Sequence, residues 1–130
     1  MTGRSARKKV LIIDDEKEMV QVETMRLKAH GYDVIVAYDG ESGLLLARVE
    51  QPALVILDIM LPGIGGYELC RMLKQDPDCR RIPIVLVTAV DQKFDTDLGK
   101  KVGADGYFTK PFQPTLLLAK IKELTKNTHS

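Results

Sequence analysis

A doubly wound α/β domain on a five-stranded parallel sheet is what this sequence prescribes. Short apolar runs recur five times, at Val10–Ile13, Val34–Ala37, Leu54–Leu57, Ile84–Val87 and, more weakly, around Tyr107 and Phe108. Polar stretches of helical length separate them, so strand and helix alternate five times in about 120 residues, the pattern of an α/β rather than a segregated α+β domain. The first, third and fourth runs are continuous in Val, Ile and Leu, as in parallel strands covered on both faces, where strict alternation disappears.

The helices carry recognisable ends. The first is expected over residues 17–30, with Met19, Val22, Met25 and Ala29 as its apolar stripe and Gly31 as its stop. The second, over 41–49, holds Gly43 in its interior at a cost of roughly 1 kcal/mol relative to Ala. A third, over 67–74, follows the loop Pro62-Gly63-Ile64-Gly65-Gly66 and ends before Asp76-Pro77. The fourth, over 94–102, offers only Phe94, Leu98 and Val102 to the interior and contains Gly99, so it is expected to be the least firmly held. The last begins after Gln113, with Pro114 at its first position and Leu117, Ile121 and Leu124 toward the core. Leu116, Leu117 and Leu118 cannot all face one core, and the excess points to a contact with a partner.

A chain of 130 residues, 45% hydrophobic, is one domain able to bury roughly two thirds of its unfolded surface without disulfide or metal staples. Its 19 basic and 18 acidic residues give a net charge of +1. That balance removes the electrostatic footprint of a nucleic-acid or membrane-surface binder. The distribution is uneven: Arg4, Arg7, Lys8 and Lys9 at the start, and Lys120, Lys122 and Lys126 against Glu123 at the end, leave 12 basic against 17 acidic residues, a net −5, over 10–119. Residues 1–8 are expected to form a basic flexible leader, 9–125 the domain and 126–130 a tail. Cys70 and Cys79 make no disulfide framework and read as reduced thiols. No apolar run approaches a membrane span and the start is no signal peptide, so the expected compartment is the cytoplasm.

In a doubly wound sheet, ligands bind beyond the carboxyl ends of the strands, where the strand order switches. The residues following the apolar runs are Asp14 and Asp15, Asp58, Thr88 and Lys110. Three carboxylates brought close together raise one another's pKa and call for a compensating cation. Mg²⁺, a hard ion that takes oxygen ligands and serves phosphate chemistry, is the natural one. Lys110 supplies a point charge for a phosphoryl oxygen, and the Thr88 hydroxyl can donate to another.

The strings VLIIDDE (10–16), LVILDIMLPGIGGYEL (54–69), PIVLVTA (83–89) and GADGYFTKPF (103–112), in this order and spacing, resemble the receiver domain of two-component response regulators over 9–125. The resemblance implies a flavodoxin-like sheet of order 2-1-3-4-5, as in chemotaxis receivers. It implies that Asp58 accepts a phosphoryl group from the phosphohistidine of a sensor kinase or a phosphotransfer protein. Asp15, Asp58 and the Met60 backbone carbonyl would hold Mg²⁺ directly, with Asp14 acting largely through water. Thr88 and Lys110 would bond the phosphoryl group, and Ala89 and Met60 would border its pocket. Thr88 and Tyr107 would switch on phosphorylation and alter the face of the fourth helix, fifth strand and fifth helix, through which the domain would dimerise or control an effector. The Lys110–Pro111 bond would be cis. Met60 and Val90, two residues beyond Asp58 and Thr88, cannot orient a water by hydrogen bonding, so a long-lived phosphoryl state is expected.

Other readings stay in view. Asp14-Asp15 alone could cap a helix, and Lys110 alone could be an ordinary strand-end lysine. Gly63, Gly65 and Gly66 lack the Lys-Ser/Thr of a phosphate loop and read as loop flexibility. His30 and His129 lie outside the cluster. A phosphorylation-independent interaction module is opposed by the complete Asp, Asp, Asp, Thr, Lys set. A flavodoxin-type cofactor binder would not place two carboxylates where the phosphate binds, and an aspartyl phosphatase would have Asp where Met60 stands. The domain leaves no room for an output domain within 130 residues, so output is expected through a partner or further sequence.

Overall fold

The computed structural model describes residues 7–89, 95–111 and 113–126. Strand and helix alternate strictly: β1 (Lys9–Ile13), α1 (Lys17–Ala29), β2 (Asp33–Ala37), α2 (Gly40–Glu50), β3 (Leu54–Asp58), α3 (Gly66–Gln75), β4 (Ile84–Ala89), α4 (Thr96–Lys101), β5 (Gly106–Lys110) and α5 (Pro114–Thr125). The strands form one parallel sheet in the order β2-β1-β3-β4-β5. The order reverses between β1 and β3, so the crevice of the fold opens beyond Ile13 and Asp58.

Alternation along each strand divides the interior in two. Leu11, Ile13, Val55, Leu57, Ile84 and Leu86 pack with Ala47, Leu69, Leu73 and Val102 from the α2, α3 and α4 side. Val10, Ile12, Leu54, Ile56, Val85 and Val87 pack with Val20, Leu27, Leu117 and Ile121 of α1 and α5. Every residue of β3 is buried, which is why its sequence is an unbroken apolar run up to Asp58. The edge strand β2 buries only Ala37 fully.

Several helix ends follow from local chemistry. The Asp39 carboxylate caps α2 by accepting from the Ser42 amide at 2.7 Å. Gly31 adopts φ +93° after α1, the left-handed stop that glycine supplies without strain. Pro114 opens α5 at its first position. Leu117 is buried while Leu116 is 57% exposed, so the three consecutive leucines do divide between core and surface.

Three expectations need correction. The buried stripe of α1 is Val20, Glu23 and Leu27, while Val22 and Met25 lie exposed. An acid holds the middle of the core-facing stripe because Arg26, one turn on, donates to its Oε2 at 2.8 Å, and this shifted the apparent apolar face by one residue. The interior glycine of α2 is a close-packing device: a Cβ at Gly43 would stand 2.5 Å from Ile13 Cδ1. Gly66 is not a flexible loop residue either, since a Cβ there would meet the Asp58 carbonyl oxygen at 2.4 Å and Ile59 Cα at 2.5 Å. Of the inner residues expected for α4, Val102 is buried and Leu98 half-buried; Phe94 lies outside the described residues. Among the described residues, no helix is long and apolar enough to cross a membrane. Cys70 and Cys79 are buried free thiols, and burial pushes Cys70 up to about 12.

Candidate functional site

The site is assembled from strand ends. β1 hands the chain to Asp14, whose amide donates to the Ala37 carbonyl of β2 at 3.0 Å. Its Oδ1 accepts from the Glu16 amide at 2.9 Å, a short local turn that fixes the carboxylate before α1 begins. Asp58 closes β3, and its Oδ1 accepts from the Met60 amide at 3.1 Å. The close passage of α3 at Gly66, whose amide donates to the Ile59 carbonyl at 2.9 Å, sets the loop just beyond it. Register then aligns the neighbours: Asp58 pairs with Val87, Thr88 with Thr109 and Ala89 with Lys110.

These elements converge on one ammonium group. Lys110 Nζ lies 2.8 Å from Asp14 Oδ2, 2.5 Å from Glu16 Oε1 and 3.5 Å from Asp58 Oδ2. Asp14, Asp58, Thr88 and Lys110 are all buried. Three carboxylates around one ammonium leave an uncompensated negative charge in a poorly solvated place. Burial, with the Asp58 charge adding to it, raises Asp14 to about 6, although hydrogen bonds from Lys110 and the Glu16 amide pull the other way. Burial works against the charge on Lys110, but its bonds to Asp14 and Glu16 outweigh that and hold its pKa above the ordinary lysine value. Lys110 therefore stays charged.

The remaining polar atom is the Thr88 hydroxyl, which is buried and has no hydrogen-bond partner among the described residues. A buried donor left unsatisfied costs roughly 1–3 kcal/mol, so its place beside this cluster calls for a ligand. Carboxylate oxygens of Asp14, Glu16 and Asp58 lie within 4.8 Å of one another, close enough to surround one cation. The donor set is all oxygen, which suits Mg²⁺.

Asp15 is exposed and is not one of that trio, whereas Glu16 belongs to it. Sequence reasoning gave Glu16 no role, though a third consecutive acid at a strand-end turn was the available signal. Met60 is exposed and Ala89 half-buried at the end of β4. The Tyr107 ring lies against α4 in space that Gly99 provides, since a Cβ there would come within 2.4 Å of Tyr107 Cε1. The Lys110–Pro111 bond is cis. Val90 lies outside the described residues. Beside the cluster, a cavity of about 520 Å³ is lined by Glu16, Met19, Ala89, Lys110, Pro111 and Pro114, together with Glu23 and Arg26. The arrangement offers a fixed carboxylate nucleophile, a permanent cation, a waiting hydroxyl donor and room for a metal.

Comparisons with known proteins agree with this geometry. Residues 10–122 match the family model described as the response regulator receiver domain. The alkaline phosphatase synthesis transcriptional regulatory protein PhoP of Bacillus subtilis (strain 168) is 43% identical over 121 residues, 93% of this chain and 50% of that protein. The chain thus spans about half the length of this curated relative. Among solved structures, a putative response regulator from Chloroflexus aurantiacus J-10-fl superposes with a TM-score of 0.87 at 32% identity, covering 93% of this chain and 99% of that one. A response regulator receiver domain protein (CheY-like) from Methanospirillum hungatei JF-1 gives 0.85 at 30% identity, covering 93% and 95%.

Proposed function

The chain belongs to the response regulator receiver domain family, and from that premise we propose that it is a phosphorylation-controlled switch whose phosphoacceptor is Asp58. The single observation that carries the reading is the meeting of the buried Asp58 carboxylate, the charged Lys110 and the buried Thr88 hydroxyl, which has no partner among the described residues, at the switch point of the sheet. The donor is the phosphohistidine of a sensor histidine kinase or a phosphotransfer protein. A carboxylate oxygen of Asp58 attacks phosphorus, the phosphorus–nitrogen bond breaks, and the electron pair stays with the imidazole nitrogen, which takes up a proton. Lys110 and Thr88 receive the phosphoryl oxygens. The carboxylate needs little activation, so catalysis is positioning and charge compensation.

Asp15, Asp58 and the Met60 carbonyl would hold Mg²⁺, with Asp14 acting through water. The ion, when bound, offsets the charge on the transferring phosphoryl group. Ala89, small and half-buried, keeps the phosphoryl pocket open above β4. Because Met60 and Val90 cannot orient a water by hydrogen bonding, the aspartyl phosphate is long-lived, and a half-life of seconds in purified protein would contradict this.

Output runs through Thr88 and Tyr107 to the face of α4, β5 and α5 by biasing an existing equilibrium. α4, of six residues, is the shortest helix among the described residues, and its close contact with Tyr107 at Gly99 couples the two. Exposed Leu116 lines a groove of about 630 Å³ with Tyr107 and Phe108 on this face, where a second copy or an effector domain would dock. Residues 9–125 form the receiver, residues 1–8 and 126–130 flank it, and the domain acts in the cytoplasm without binding nucleic acid or membrane itself.

The test is incubation with acetyl phosphate and Mg²⁺ followed by intact mass. A single phosphoryl adduct that needs Mg²⁺ and disappears in Asp58→Ala supports the reading. An adduct that survives Asp58→Ala, or none in the wild type, overturns it in favour of a phosphorylation-independent interaction module.

A further inference from the structure

We propose that Glu16 is a positioning residue that sets the preference of the site among phosphodonors, acting through Lys110. The inference rests on the phosphoacceptor reading of Asp58. Glu16 is the nearest of the three carboxylates to Lys110 Nζ, at 2.5 Å against 2.8 Å for Asp14 and 3.5 Å for Asp58. It is also the one free to leave. Its side chain is 60% exposed, against 4% and 6% for the other two. Asp14 is tied down a second time by the Glu16 amide and Asp58 by the Met60 amide. Glu16 and Lys110 also line the same cavity of about 520 Å³, which gives the carboxylate space into which to swing.

In the unphosphorylated protein Glu16 therefore occupies the cation that an incoming phosphoryl group must claim. The competition is electrostatic, because a Glu16 oxygen lies within 4.8 Å of an Asp58 carboxylate oxygen. A free acyl phosphate arrives as a dianion whose leaving group is a second anion, and it meets the Glu16 charge in full. A phosphoryl group on nitrogen, whose leaving group is neutral or protonated, carries less negative charge and meets less repulsion. In both cases an Asp58 oxygen forms the new bond to phosphorus. The bond that breaks is phosphorus–oxygen with acetate leaving, or phosphorus–nitrogen with the nitrogen keeping the electron pair and leaving protonated, by a proton it already carries in phosphoramidate or takes up in a phosphohistidine. Glu16 thus biases the domain toward nitrogen-borne phosphoryl groups and away from small acyl phosphates.

The test compares wild type, Glu16→Gln and, as a control for general surface charge, Glu18→Gln, an exposed acid in the first turn of α1. Second-order phosphorylation rates with acetyl phosphate and with phosphoramidate are followed by intact mass, and Mg²⁺-dependent beryllofluoride binding, which involves no turnover, by amide NMR. Glu16→Gln is expected to speed acetyl phosphate labelling by about 3- to 10-fold and phosphoramidate labelling by less than about 2-fold. It should also tighten beryllofluoride binding, and salt near 1 M should shrink the difference from wild type. Glu18→Gln should change neither. Equal acceleration with both donors, an equal effect of Glu18→Gln, or weaker beryllofluoride binding in Glu16→Gln would each overturn the proposal. A wild type that accepts phosphoryl from neither donor would instead overturn the underlying reading of Asp58.

Discussion

At the amino-terminal edge of the sheet, Lys9 meets Glu50 at 2.6 Å and Lys74 meets Asp105 at 3.2 Å. Lys8 donates to the Thr125 carbonyl, and Asp105 also accepts from the Ile84 amide at 2.8 Å. These charges are paired one to one and partly solvated. At the opposite edge, one buried lysine is divided among three carboxylates and a buried threonine hydroxyl has no hydrogen-bond partner among the described residues. The same fold thus settles its charges at one end and leaves them unsettled at the other. Matched pairs at the surface fasten helices to strands, whereas the surplus of negative charge at the switch point is what a cation can relieve, leaving Lys110 and the Thr88 hydroxyl for a phosphoryl group to claim.

The contrast predicts unequal costs for the same kind of change. Removing the shared cation with Lys110→Met should destabilise the domain by about 2–3 kcal/mol at neutral pH, because the buried carboxylates lose the counter-charge they share. Much of that loss should be recovered on acidification, read by urea denaturation at two pH values. The corresponding change at the other edge, Lys9→Met, should cost about 1 kcal/mol or less at any pH, because that pair is exposed to solvent and salt.

Between these lies Asp14. Its folded-state pKa, near 6, is above the ordinary 3.8, so the folded protein binds a proton more tightly than the unfolded chain over that interval. The contribution of Asp14 to the stability of the metal-free domain is therefore fully present below the ordinary value and is lost as pH rises from about 4 to about 6. Asp14→Asn should abolish that slope and stabilise the metal-free protein at pH 7, while weakening its response to Mg²⁺. A wild-type stability that gains on that of Asp14→Asn as pH rises over this interval would contradict the surplus-charge picture.

The smallest effect concerns Glu23, which burial pushes above the ordinary carboxylate range against the opposing pull of Arg26. Glu23→Gln should leave phosphorylation unchanged and raise the melting temperature slightly at neutral pH. A drop would mean that the Arg26 bond outweighs the cost of burying the charge.

Much of this was legible in the chain itself. Asp14, Asp58, Thr88 and Lys110 stand out because each ends an apolar run, and a parallel sheet must bring such ends together. The alternation of strand and helix likewise carries the architecture. Glu16 was not legible, because its meaning depends on the Asp14 turn folding its side chain toward a lysine 94 positions away. The α1 stripe was misread for a related reason: Glu23 is buried only because Arg26 accompanies it, and hydrophobic periodicity does not register a paired acid in a core position. Gly43 and Gly66 looked like weak or flexible points, since the backbone and side chain that would collide with a Cβ come from other strands.

The most direct test of the central claim is thermal unfolding at pH 7 without ligand, with Mg²⁺, and with Mg²⁺ plus beryllofluoride, in wild type and Asp58→Asn. Relief of surplus charge predicts that Mg²⁺ raises the wild-type midpoint, and beryllofluoride, once the cation is in place, should raise it further through bonds from Lys110 and Thr88, the second increment vanishing in Asp58→Asn. A midpoint indifferent to Mg²⁺, or a beryllofluoride increment that persists without the Asp58 carboxylate, would contradict it.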